Sequence, residues 1–191
     1  MVTAFLSLME IGAIVLVLII VAYIVFLFNK LIRLKNNVNN AWAQIDVQLR
    51  RRYDLIPNLI EVVKGYMKHE KGTLKEVIEA RTAFMRAQTP GQKAAADNML
   101  SGALKTLFAV AEQYPQLRAI ESFQTLREDL NDTENRVSFT RQFYNDAVLI
   151  YNVTAQSFPN TLFARVLGFP PEMEFFKAEG ETRETVRAKF D

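Results

Sequence analysis

Eighteen consecutive residues without a charge, Ile11 to Phe28 in "IGAIVLVLIIVAYIVFLF", constrain this chain more than any other feature. At about 1.5 Å per helical residue the run spans roughly 27 Å, and a few flanking residues bring it to the ~30 Å of a bilayer's hydrocarbon core. A buried helix of a small soluble domain would carry a polar stripe, and this run carries none. A cleaved signal peptide fits poorly: no Lys or Arg precedes the run, it is too long, and no small-x-small site ends it. A retained transmembrane helix from Ile11 to Phe28 is therefore expected. Glu10 is the only charged side chain before it, whereas Lys30, Arg33 and Lys35 follow directly. The positive-inside rule then places the short N-terminus outside and the long C-terminal part in the cytoplasm of a single-pass protein, with the bacterial plasma (inner) membrane as its natural setting.

The remaining chain, within 191 residues in all, suits one domain beside this anchor. Half of all residues are hydrophobic, and glycine and proline number only seven and six, which argues against disorder and against a turn-rich β fold. With no cysteine, disulfides, thiol nucleophiles and cysteine metal sites are excluded. A single histidine, His69, excludes a multi-histidine metal site, and a net charge of +2 does not argue for nucleic acid.

Beyond the anchor the pattern stays helical. Leu31, Leu34, Val38, Ala41, Ile45, Leu49, Tyr53, Ile56, Ile60, Val63 and Met67 recur at steps of three and four, averaging about 3.6 residues. No turn signal separates them from the span, so one long helix leaves the bilayer and enters the domain. Pro57 lies inside it without shifting the apolar phase, and a kink is favoured over a break. A second helix is expected to begin near Lys71-Gly72-Thr73, where Thr73 can cap and Glu76 completes a capping box, and to run to about Ala87. A third opens at Thr89-Pro90-Gly91-Gln92, with Thr89 as N-cap and Pro90 at the first helical position. A long last helix runs from about Leu117 to Phe158. The expected fold is all-α: a transmembrane helix (1–29) continuing into an antiparallel four-helix, up-and-down bundle (30–158) with long first and last helices, then an apolar patch and charged tail (159–191).

"QLRRRYDLIPNL", residues 48–59, invites a nucleic-acid or phospholipid role. Successive helical positions fan out by about 100°, so the three arginines form no single stripe. Arg50 lies roughly 30 Å beyond Lys30, several Debye lengths from the headgroups if the helix stays upright. Asp46 and Asp54 flank Arg50 at i±4 and supply local ion pairs. A structural role follows: an arginine, Arg51 or Arg52, turns inward toward the polar part of the last helix, where Glu134, Arg141 and Asn145 lie. Such a buried layer fixes the register of a coiled-coil-like seam. Catalysis would need an acid, a base and a cleft, and no histidine or cysteine stands beside the carboxylates. No glycine-rich phosphate loop is present, and no cofactor or metal is expected. Leu162, Phe163, Val166, Leu167 and Phe169 form an apolar patch that either lids the bundle or contacts a neighbouring subunit or the bilayer.

"NNAWAQIDVQLRRRYDLIPNLIEVVKGYMKHE" at 39–70, "EAR" at 79–81, "YPQLRA" at 114–119 and "TENRVSFTRQFYNDAVLIYN" at 133–152 resemble the LemA family, over essentially the whole chain after the anchor. The resemblance implies a single-pass bacterial membrane protein, N-terminus out, with a cytoplasmic antiparallel helical bundle and no enzymatic activity. It also implies association with membrane organisation, including magnetosome membranes, and with membrane proteases or TPM-domain proteins. Two functions are then expected to compete. One is a membrane-anchored scaffold that assembles with itself into a homo-oligomer; the other is an adaptor recruiting a membrane protease or TPM-domain partner.

Overall fold

A computed structural model describes residues 2–67 and 69–177, with side chains from Met9 onward; the charged tail expected after Lys177 lies outside these residues. Among the described residues the chain is all-helical, without a strand. Six helices follow in order: α1 (Val2–Lys64), α2 (Lys71–Arg86), α3 (Pro90–Ala111), α4 (Pro115–Arg118), α5 (Glu121–Gln156) and α6 (Asn160–Val166). Only α1 among the described residues is long and apolar enough to cross a membrane. It continues unbroken through Pro57 to Lys64.

Two helix starts show how local chemistry decides a boundary. Thr89 forms the expected capping box: its hydroxyl accepts from the Gln92 amide at 3.2 Å, and the Gln92 side chain accepts from the Thr89 amide at 3.3 Å. The box expected at Thr73 does not form. Helix α2 begins at Lys71, the first residue of the expected stretch, which leaves Thr73 inside the helix and Glu70 as an N-cap with no side-chain bond. The last helix also differs from expectation. Pro115 opens the separate single turn α4, whose Leu117 is buried, and α5 starts afresh at Glu121.

The chain divides into two compact units, to both of which α1 and α5 contribute. The first comprises the chain up to Asn40 with Asp146–Met173. Here α6 packs on α1: Phe163 meets Tyr23 edge-on at 5.9 Å, and the Tyr23 hydroxyl donates to Asn160 Oδ1 at 2.5 Å. Helix α6 ends in a Schellman motif, in which the amides of Gly168 and Phe169 donate to the carbonyls of Arg165 and Ala164. Gly168 takes the left-handed conformation this motif needs, φ 77°, and the chain then turns Phe169 onto Phe28 at 5.6 Å.

The second unit comprises Ala41–Asn145 with the segment from Glu174. Segments of α1, α2, α3 and α5 share its core. Tyr53 of α1 stacks on Phe84 of α2 with centroids 3.8 Å apart, and Phe108 of α3 meets Phe123 of α5 at 6.2 Å. Leu49, Ile56, Leu100 and Leu107 are fully buried in the same unit.

Candidate functional site

Within the second unit the buried face of α1 reads Ile45, Leu49, Arg52, Ile56, Leu59, Val63, alternating steps of four and three. Arg52 therefore occupies a core position, and its side chain is 1% exposed. On α3 the buried phase Asp97, Leu100, Leu104, Leu107, Ala111 places a carboxylate on the corresponding apolar face. The two meet: Arg52 Nη1 donates to Asp97 Oδ1 at 2.7 Å, and Nη2 donates to Ser101 Oγ at 3.1 Å. Glu134 of α5 approaches the same Nη2 at 3.3 Å, but its side chain is 52% exposed. Three helices are thus tied at one level by a guanidinium whose planar fork reaches several acceptors together.

Burial pushes the Asp97 carboxyl above the usual carboxylate range, against the opposing pull of Arg52. Burial likewise raises the neighbouring Tyr53 hydroxyl well above its ordinary value, with the Asp97 charge adding to the effect. No described group accepts from that hydroxyl. Of the other arginines in the triplet, Arg51 is exposed and Arg50 lies along the surface, with Nε 2.8 Å from Asp46. Arg141 donates to Ser138 on its own helix at 3.5 Å, and its charge acts on Asp97 from there. Thr133, fully buried, donates its hydroxyl to the Leu130 carbonyl at 2.8 Å.

A second charged cluster lies nearer the start of this unit. Lys93 pairs with Asp46 and sits between two aromatic faces, 5.4 Å from the centroid of Trp42 and 5.3 Å from that of Phe84. The ammonium thus faces two aromatic rings and a carboxylate together, an arrangement suited to locking α3 onto α1 and α2.

Asn145, expected in the arginine layer, serves a different purpose. Its amide donates to the Phe176 carbonyl at 3.1 Å and its oxygen accepts from the Phe176 amide at 2.9 Å. The adjacent Tyr144 donates to the Glu174 carbonyl at 2.7 Å, and Asn98 of α3 donates to the Lys177 carbonyl at 3.2 Å. Burial raises the Tyr144 hydroxyl to about 12, with the Glu174 charge adding to it. In the first unit the dipeptide recurs seven residues on. Asn152 exchanges the same pair of bonds with Met173, at 3.0 and 2.7 Å, and Tyr151 donates to the Pro170 carbonyl at 2.8 Å. Each asparagine acts as a backbone mimic, offering one donor and one acceptor to an extended segment as a neighbouring strand would. The paired "YN" dipeptides at 144–145 and 151–152 were the available sequence signal.

An open groove of 570 Å³ runs beside the arginine layer, lined among others by Ser101, Lys105, Glu112, Arg127 and Glu134. Its charges of both signs are largely paired locally: Glu112 with Arg118 and Arg127, Glu134 with Arg52. Among the described residues no cluster of His, Asp or Glu is arranged to hold a metal ion, and His69 is exposed. In the apolar patch Leu162 and Val166 are exposed, Phe163 and Leu167 are half-buried and Phe169 is buried.

Residues 41–190 match the model of the LemA family. The chain is 25% identical to Magnetosome protein MamQ 2 of Paramagnetospirillum magneticum, over 87% of this chain and 72% of that protein. It is equally similar, over the same shares, to Magnetosome protein MamQ of Magnetospirillum gryphiswaldense. Protein LemA of Metamycoplasma hominis is 24% identical over 73% of this chain and 64% of its own length.

Proposed function

From the premise that this chain belongs to the LemA family, we propose that it is a non-enzymatic, membrane-anchored scaffold that assembles with copies of itself. Helix α1 crosses the bacterial plasma membrane once between Ile11 and Phe28, and Lys30, Arg33 and Lys35 hold the remainder on the cytoplasmic side. The helices beyond it form an up-and-down antiparallel bundle. The homo-oligomer organises the membrane or proteins within it, a role in keeping with relatives named as magnetosome proteins.

The observation that carries self-assembly is an aromatic pair on the outer face of α5. Phe139 and Phe143 are 63% and 53% exposed and meet edge-on at 4.8 Å, one helical turn apart. Two large rings left in water on an otherwise polar turn mark a contact surface. The fitting occupant is a second copy: identical anchors in one bilayer bring neighbouring copies to a common register, so each presents the pair at the same level. The full-length protein, extracted in mild detergent and sized by light scattering, should be a uniform multimer. Phe139→Ser with Phe143→Ser should reduce it to smaller species while its helix content is kept. A wild-type monomer, or a double variant of unchanged mass, refutes the assignment.

A further inference from the structure

From Ala147 to Phe169, "AVLIYNVTAQSFPNTLFARVLGF", Arg165 is the only charged residue. Within the first unit this stretch carries the end of α5, the cis Phe158–Pro159 corner and α6. Its position beside α1 can be measured against the span. Tyr23 lies five residues inside Phe28, roughly 7.5 Å along the helix axis, and α6 is joined to it through both Asn160 and Phe163. Phe169, by contrast, sits level with Phe28 at the end of the uncharged run. Helix α6 therefore lies alongside the last turns of the span, deeper than the first basic residues.

The outward side of this corner is apolar. Phe158, Leu162 and Val166 point away from α1, and Val166 is 86% exposed. Their neighbours in level on α1, Val25 and Phe26, are exposed in the same way. Side chains at that level of a spanning helix face acyl chains.

We propose that the corner formed by Phe158 and α6 is a second membrane-embedded element, seated in the leaflet from which α1 emerges, with Phe158, Leu162 and Val166 among the acyl chains. It rests on the reading of α1 as a span. A depth of ~7.5 Å suits a helix lying in the interface, whose apolar face sits about 5–10 Å into the headgroup and acyl boundary. Arg165, exposed on the same helix, extends to the phosphates by snorkelling and joins Lys30, Arg33 and Lys35 as a basic collar. The protein thus holds the bilayer at two places, and the second fixes the rotation of α1 about its own axis, which a lone span leaves free.

The chain has no cysteine, so single labelling sites can be introduced without removing any native residue. Val166→Cys, Val17→Cys and, as the water-exposed reference, Lys75→Cys on the outer face of α2, each in the full-length protein, are spin-labelled and reconstituted in vesicles of phosphatidylethanolamine and phosphatidylglycerol. Accessibility to oxygen, which partitions into lipid, is then compared with accessibility to a water-soluble nickel chelate. The label at 166 should match the one at 17, with an oxygen-to-chelate ratio several-fold above that at 75. A lipid-exposed label at 17 with a water-exposed label at 166 overturns the embedded corner and leaves the span standing. Water exposure at both overturns the span as well. A label at 166 shielded from both reagents places a protein surface there and also overturns the proposal.

Discussion

Replacing Arg52 by methionine tests the buried layer where its energetics are most distinctive. The substitution keeps a long unbranched side chain in the core but withdraws the partner of a carboxylate that is 9% exposed. Removing one member of a buried ion pair costs about 3–5 kcal/mol, because the other is left without compensation. The Ser101 bond adds to the loss, whereas the half-exposed Glu134 contributes about 0–1 kcal/mol because solvent screens it. Asp97 has an escape: burial already raises its pKa, so taking a proton relieves part of the penalty. The lower end, about 3 kcal/mol, is therefore expected, and at about 2–4 °C per kcal/mol for a chain of this size the midpoint falls by about 6–12 °C. Arg51→Met, one position away on an exposed site, should stay within about 0.5 kcal/mol of wild type. The double variant Arg52→Met, Asp97→Leu removes both charges and should recover most of the loss, since an apolar replacement of a buried pair is often neutral or stabilising. Thermal unfolding in mild detergent, followed by far-ultraviolet circular dichroism, reads all four proteins. Equal midpoints for Arg51→Met and Arg52→Met, or a double variant that loses the sum of its singles, would refute a dry, coupled pair.

Asp97 also sets a pH dependence. A carboxyl whose pKa rises on folding favours the folded state when protonated, so its contribution is complete below about pH 4 and is lost as pH climbs through the raised value. The wild-type midpoint should accordingly decline relative to Asp97→Asn as pH rises across the mildly acid range, and a wild-type midpoint that instead rises relative to the variant contradicts the burial argument. Asn145→Ala or Asn152→Ala removes two bonds to the extended segment, each worth about 1 kcal/mol, and limited proteolysis should cut near 170–177 several-fold faster; unchanged cleavage would deny the asparagines that role. Thr89→Ala should cost about 1 kcal/mol by losing the capping box, while Thr73→Ala, inside α2, should be neutral or slightly stabilising, and equal losses by thermal unfolding would contradict the two assigned positions.

Thr73 and Thr89 also explain which helix starts were legible. Both head an S/T-x-x-E/Q pattern, but only Thr89 precedes a proline, which disfavours helix at the residue before it and leaves Thr89 extended at φ −102°, ψ 157°. Nothing at Lys71 or Gly72 blocks another turn, so α2 grows back past its apparent cap. The apolar run and the stripe from Leu31 onward were legible because solvent sorts side chains by helical period. Arg52 could be singled out from Arg51 only by the four-three alternation of Ile45, Leu49, Ile56 and Leu59. Asp97 was hidden among alanines, where a single charge on an apolar phase looks like an ordinary polar position until its counterpart on another helix is known. The hold of Asn145 on the main chain of residue 176 was out of reach of periodicity, because it joins a helix to a segment with no period of its own.

The asparagine contacts have a consequence for how this chain can vary between relatives. At Met173 and Phe176 both the amide and the carbonyl are engaged, whereas at Pro170, Pro171, Glu174 and Lys177 the side chains of the helices take the carbonyl alone. An imino acid can stand at positions of the second kind without loss of a contact, and two already do. At 173 and 176 it would silence a donor that an asparagine requires. Drift along this stretch is thus bounded less by side-chain chemistry than by which residues keep an N–H.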